Sequence, residues 1–215
     1  MRIVIAGAHG QIARRLGRLL SARGDTVVGI IRNPAHESDV VADGVDPVVL
    51  DLETARPEEV ETAVRDVDAV VFAAGAGPGS GPARKRTVDL GGAVKLADAA
   101  RSTGVRRYVM VSSIGADRPE AADESMRPYL RAKAEADDYV RASGLDFTIV
   151  RPGSLTDDPG TGRVQVSVEL GNRGPVPRDD VAAVLAAVLA TPATIGKTFE
   201  LFTGDTPIPE ALSGL

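Results

Sequence analysis

The chain has 215 residues, with no cysteine, no tryptophan and only two histidines. Without cysteine there is no disulfide, no thiolate metal site and no thiol nucleophile. His9 and His36 alone do not make a histidine-rich centre, so no metal is expected, and a histidine-based triad is disfavoured. Basic residues are not in excess. The net charge of −5 argues against a broad nucleic-acid face, while leaving room for a local phosphate pocket. No apolar run approaches the ~18 residues of a membrane span. The stretch Ile3–Ala8 is too short for a signal peptide and ends in a glycine turn. The expected setting is cytoplasmic. The expected partner is a small-molecule substrate, with neither nucleic acid nor membrane, and both a monomer and a homodimer are open.

What is present is an ordinary globular composition, 43% hydrophobic and 26% charged, patterned as alternating strands and helices. Short apolar, β-branched runs predict strands at Ile3–Ala6, Thr26–Ile31, Pro47–Leu50, Ala69–Ala73, Tyr108–Ser112 and Asp146–Val150. Amphipathic segments between them predict helices at Gln11–Arg23, Pro57–Arg65, Val88–Ser102 and Tyr129–Ser143. Most of the strands are continuously apolar, as expected when helices cover both faces of a parallel sheet. The βαβα order predicts an α/β fold, a Rossmann-type doubly wound parallel sheet.

Beyond Arg151 a strand at Val164–Val168, a helix at Asp180–Ala190 and a strand at Thr198–Phe202 are expected. About 65 residues are too few for a large second domain. The chain is therefore read as one Rossmann-type domain over 1–215, with about 151–215 forming a small substrate-side extension. The glycine-rich loops Gly75–Pro82 and Gly153–Gly162 follow strand ends on the side where such sheets bind ligands.

The segment Gly7-Ala8-His9-Gly10-Gln11-Ile12-Ala13 follows the first strand and opens the first helix. Gly7 permits the tight turn, Gly10 lets the backbone approach a pyrophosphate, and Ala13 lets the helix lie close to the sheet. The helix N-terminus then offers N–H groups and a positive dipole end to the phosphates. NAD sites usually place an acid at the end of the second strand. Here that strand ends Ile30-Ile31-Arg32-Asn33, and Asp25 precedes it. Arg32 is read as a partner for the 2′-phosphate of NADP, with help from Arg14 or Arg15. Asp51 could accept from the adenine amine with Leu52 packed on the ring, or it could serve as a helix cap. Ala73, Ala74 and Gly75 are small enough for close approach to a cofactor. His9 is read as a loop residue that meets the cofactor through its backbone.

Tyr129 and Lys133 are four apart on a predicted helix, so their side chains share a face. A free tyrosine holds its proton to about pH 10, and a neighbouring ammonium favours the phenolate. The lysine can also hold a cofactor ribose. A hydroxyl at the neighbouring strand end, Ser112 or Ser113, can orient a substrate carbonyl.

Together these residues resemble an atypical short-chain dehydrogenase/reductase of the NAD(P)H-binding group. That group includes NmrA-like proteins, flavin/biliverdin-IXβ-type reductases and small epimerase/dehydratase-like proteins. The resemblance rests on IVIAGAHGQIA, GIIRNP, VVLDLE, VFAAGAG, VDLGGAVKLADAA, RYVMVSSIGAD, YLRAK, FTIVRPGSL and RDDVAAVLAAVL. It implies that Gly7, Gly10, Gln11 and Ile12 cradle the pyrophosphate, that Arg32 holds the 2′-phosphate, and that Asp51 and Leu52 border adenine. Ala73, Ala74 and Gly75 would line the nicotinamide ribose. Val111, Ser112 and Ser113 would lie under the nicotinamide, and Pro152 and Gly153 would close over it. Tyr129 would be the general acid/base, Lys133 its partner, and Ser113, ahead of Ser112, the carbonyl-orienting hydroxyl. Three activities follow as expectations: an NADP(H)-dependent reductase of a small carbonyl, enone or flavin-like acceptor, a non-catalytic NADP(H) sensor, or a small epimerase or dehydratase that keeps its cofactor.

Overall fold

The structure, a computed structural model, describes residues 1–77, 79–168 and 174–215. The chain begins with β1 (Arg2–Ala6), α1 (Gln11–Ala22), β2 (Thr26–Ile31), α2 (Glu37–Ala42), β3 (Asp46–Val49), α3 (Pro57–Ala63) and β4 (Ala69–Phe72). A continuous helical stretch follows: α4 (Pro82–Arg84), a π-helical segment (Lys85–Gly92) and α5 (Ala93–Ser102). Then come β5 (Arg107–Val111), α6 (Arg127–Ala142), β6 (Asp146–Pro152), β7 (Ser154–Thr156), β8 (Arg163–Ser167) and β9 (Pro175–Pro177). The chain closes with α7 (Arg178–Leu189), β10 (Lys197–Thr203), β11 (Thr206–Pro207) and α8 (Ile208–Ser213).

β1 shows how these residues choose their places. Its side chains alternate: Ile3 and Ile5 join one buried cluster, Val4 and Ala6 the other. The first cluster takes Leu16 and Leu20 from α1, Val181 and Leu185 from α7, and Leu212 from α8. The second takes Val60 from α3, Leu96 from α5 and Val140 from α6. Each face of the sheet is thus covered by helices, which is why its strands carry no polar alternation.

The main sheet runs β11-β8-β10-β6-β5-β4-β1-β2-β3. Its pairs from β3 through β10 are parallel, while β8 and β11 run antiparallel at the edge. The order β3-β2-β1-β4-β5-β6 is the doubly wound Rossmann order. β7 and β9 form a separate two-stranded parallel sheet. Gly153 begins this excursion. Its N–H donates to Leu201 at 3.0 Å, and a Cβ there would lie 2.5 Å from the Phe202 ring.

Several elements differ from the sequence reading. Gly75–Pro82 is read as loop, yet Pro82 starts a helix, because a proline suits the first turn, where its missing N–H is no loss. The helix expected from Val88 therefore begins earlier and passes through the π segment. The loop read at Gly153–Gly162 contains β7. α2 buries only Val40, too little to show a periodic pattern. β9 and β11 hold prolines, which argue against a strand when read alone.

Candidate functional site

β1 lies between β2 and β4, the point where the winding reverses, and ligands bind beyond the strand ends there. Gly7 follows β1 with φ +82°, and a Cβ at that position would lie 2.6 Å from Ala74 Cα. Only glycine allows both the left-handed turn and this close approach. Gly7 and Ala8 both donate to Ile30 O at 3.1 Å. Gly10 precedes α1, and no side chain caps that helix. Its first N–H groups are therefore left to a ligand or water. This bare cradle fits a pyrophosphate. Gln11 is exposed at the start of α1 and lines neither of the two clefts described next.

The first cleft, about 330 Å³, opens beyond β2 and β3 and includes Gly7, Gly10, Arg32, Asp51, Leu52 and Glu53. The Asp51 carboxylate accepts the Glu53 N–H at 3.0 Å, which shapes the turn after β3 rather than a helix start. Glu53 was missed in the sequence. Its carboxylate takes Thr87 Oγ1 at 2.6 Å, Arg84 at 3.2 Å and Arg32 Nη1 at 3.6 Å. An acid beside Arg32 is thus supplied from the turn after the neighbouring strand. Two guanidiniums share the Glu53 carboxylate, and Asp51 lines the same cleft, so the charges there balance. Arg14 and Arg15 do not reach the cleft as helpers. Arg14 is bound to Asp43, and Arg15 to Asp179 at 2.6 Å. The His9 ring stacks on His36, with centroids 3.6 Å apart, and its Nε2 lies 2.8 Å from Asp39. Both residues line the cleft.

Ala73, Ala74 and Gly75 line this cleft and also the second, of about 400 Å³. There Ile12, Val111, Ser112, Ser113, Tyr129, Lys133, Pro152 and Gly153 come together. Lys133 is almost fully enclosed. Its Nζ donates to Val111 O at 3.1 Å and lies 3.3 Å from Asp89 Oδ1, with side-chain exposures of 4% and 1%. It also lies 5.8 Å from the Tyr129 ring centre. Asp89 was not singled out in the sequence. It sits on the π segment and accepts the Ala76 N–H at 3.1 Å, so it steadies both the lysine and the loop after β4. The one signal for it was a lone acid between Val88 and Leu90 in a helical run.

A second buried pair lies deeper. Arg151 donates to Asp137 at 2.9 Å. Burial pushes the Asp137 carboxyl above its ordinary range, although Arg151 and the adjacent Ser112 hydroxyl pull the other way. Ser112 is buried beside this pair, whereas Ser113 is partly exposed in the cleft, with its Oγ 3.2 Å from Ile114 O.

A family model described as NAD(P)H-binding matches residues 7–192. The chain belongs to this family. It is 40% identical over 216 residues to an uncharacterized sugar epimerase of Bacillus subtilis (strain 168), covering 100% of both chains. A solved structure from Bacillus halodurans, provisionally named an NAD-dependent epimerase/dehydratase, superposes with a TM-score of 0.95 at 40% identity over 100% of both chains. An oxidoreductase from Lactococcus lactis superposes with a TM-score of 0.87 at 30% identity, over 100% of this chain and 96% of that one. The family is thus NAD(P)H-binding and oxidoreductase- and epimerase-like. No described helix is long and apolar enough to cross a membrane.

Proposed function

We propose that the chain is an NADP(H)-dependent oxidoreductase acting on a small carbonyl, enone or flavin-like acceptor. The observation that supports it most is that two clefts share Ala73, Ala74 and Gly75, with the bare glycine turn and Arg32 in one and Ser113, Tyr129 and Lys133 in the other. When bound, the nicotinamide supplies hydride. Tyr129 gives its phenolic proton to the acceptor oxygen, and Ser113 donates a hydrogen bond that orients that oxygen. Ser113 is favoured over Ser112 because the Ser112 hydroxyl is buried beside Asp137. The Lys133 ammonium has three donors. One reaches Val111 O, one faces Asp89, and the third is left for the ribose hydroxyls. Its charge favours the phenolate that Tyr129 leaves behind. Gly7, Gly10, Gln11 and Ile12 hold the pyrophosphate. Arg32 takes the 2′-phosphate through its guanidinium, with Arg84 beside it on Glu53. Asp51 and Leu52 border the adenine, and Pro152 and Gly153 close the nicotinamide end.

The test is NADPH oxidation against a panel of carbonyl, enone and flavin acceptors. Tyr129→Phe lowers turnover by about 10²–10⁴-fold and leaves NADPH affinity nearly unchanged. Parental turnover in that variant would remove Tyr129 from the reaction. The relatives' names favour a second reading, an epimerase that retains its nucleotide. Turnover of a sugar substrate with no net NADPH consumption would select it.

A further inference from the structure

The second cleft holds two lysines in different circumstances. Lys133 is matched by Asp89. Lys85 Nζ lies 5.9 Å from the Tyr129 ring centre, about as close as Lys133 does at 5.8 Å. Among the described residues it has no hydrogen bond and no carboxylate partner. The π segment explains the placement. Lys85 and Asp89, four apart on it, meet Tyr129 and Lys133, four apart on α6. Charge within this square cancels between Asp89 and Lys133, and one positive charge remains, on Lys85.

Much of the cleft that holds that charge is apolar. Ile12, Val111, Met126 and Leu155 line the same cleft, and Met126 and Leu155 stay 45% and 38% exposed. An ammonium against such walls gains most from an anion that arrives with its own apolar body. A single ammonium balances one carboxylate. A phosphate dianion would keep an uncompensated charge in an apolar setting.

We propose that Lys85 anchors a carboxylate on the substrate, so that the acceptor is a largely apolar molecule carrying one carboxylate near the group Tyr129 protonates. This rests on the reading of the cleft as a reductase's substrate site and adds the chemical class of its substrate.

The experiment is calorimetric titration of cinnamate, cinnamide and phenyl phosphate into the full chain, with and without NADP. Wild type binds cinnamate about tenfold more tightly than cinnamide, the scale of one charge-assisted hydrogen bond. Lys85→Gln erases the preference and Lys85→Arg keeps it. Equal affinity for cinnamate and cinnamide, no cinnamate binding, or a preference that survives in Lys85→Gln overturns the proposal. Tighter binding of phenyl phosphate than of cinnamate overturns the carboxylate assignment. Absence of NADP binding would sink the reductase reading instead, and the nucleotide-free titrations would still decide the role of Lys85.

Discussion

Beyond β2 and β3 the charges of the cleft stay in water. The Arg32 side chain is 54% exposed, shares Glu53 with Arg84 and sits 3.6 Å from it. Beyond β5 and β6 they are sealed: Lys133 with Asp89, and Arg151 with Asp137, lie in the interior. An exposed pair is screened and adds little, while a sealed one fixes geometry and penalises the loss of either member. The first half is thus suited to exchanging a charged ligand, and the second to holding groups at set positions.

Substitutions in the two halves should accordingly have unequal costs. Asp89→Ala leaves the Lys133 ammonium buried without its carboxylate, and we expect a loss of about 3–5 kcal/mol in stability by urea unfolding. A loss below about 1 kcal/mol would mean that the sealed half behaves like a surface pair. Arg32→Glu should weaken NADP binding by about tenfold or more with little change for NAD, read by titration of both nucleotides. Wild type that binds NAD more tightly would overturn the NADP assignment.

A smaller effect is a dependence on acid at the back of the first half. Burial acts to raise the Asp43 carboxyl, but hydrogen bonds from Arg14 and Arg18 outweigh it, and the group lies below its ordinary value near 3.8. A depressed carboxylate adds stability that is present above the unfolded value and is lost as pH falls through the folded one. Unfolding curves from pH 5 downward should show this slope, and Asp43→Asn should flatten it. The smallest effect is Glu53→Gln, which should shift stability by less than about 1 kcal/mol while tightening NADP binding, because Arg32 and Arg84 are released. Weaker NADP binding in that variant would give Glu53 a direct role with the nucleotide.

The sequence made β1 through β6 legible because continuous apolar runs report a doubly covered sheet. Gly7 and Gly10 were legible because a turn between strand and helix demands them. Tyr129 and Lys133 were legible because helical spacing is local. Partners brought by the fold were not. Arg15 reads as a neighbour of the phosphate loop, yet its carboxylate partner, Asp179, is 164 residues away. Glu53 enters the Arg32 edge from the turn after β3, which only the pairing of β2 with β3 discloses. Asp89 and Lys85 depend on a helix whose turn is wider than the period used to read it.

That wide turn has a genetic consequence. A π turn closes i→i+5 bonds where an α turn closes i→i+4, so it holds one more residue. Losing a single codon between Lys85 and Asp89 would convert it to an ordinary turn, in which three steps of about 100° bring the two residues to nearly the same relative facing. A reading-frame-preserving deletion there would disturb the site less than the same deletion within α5, which would rotate the residues before it by about 100°.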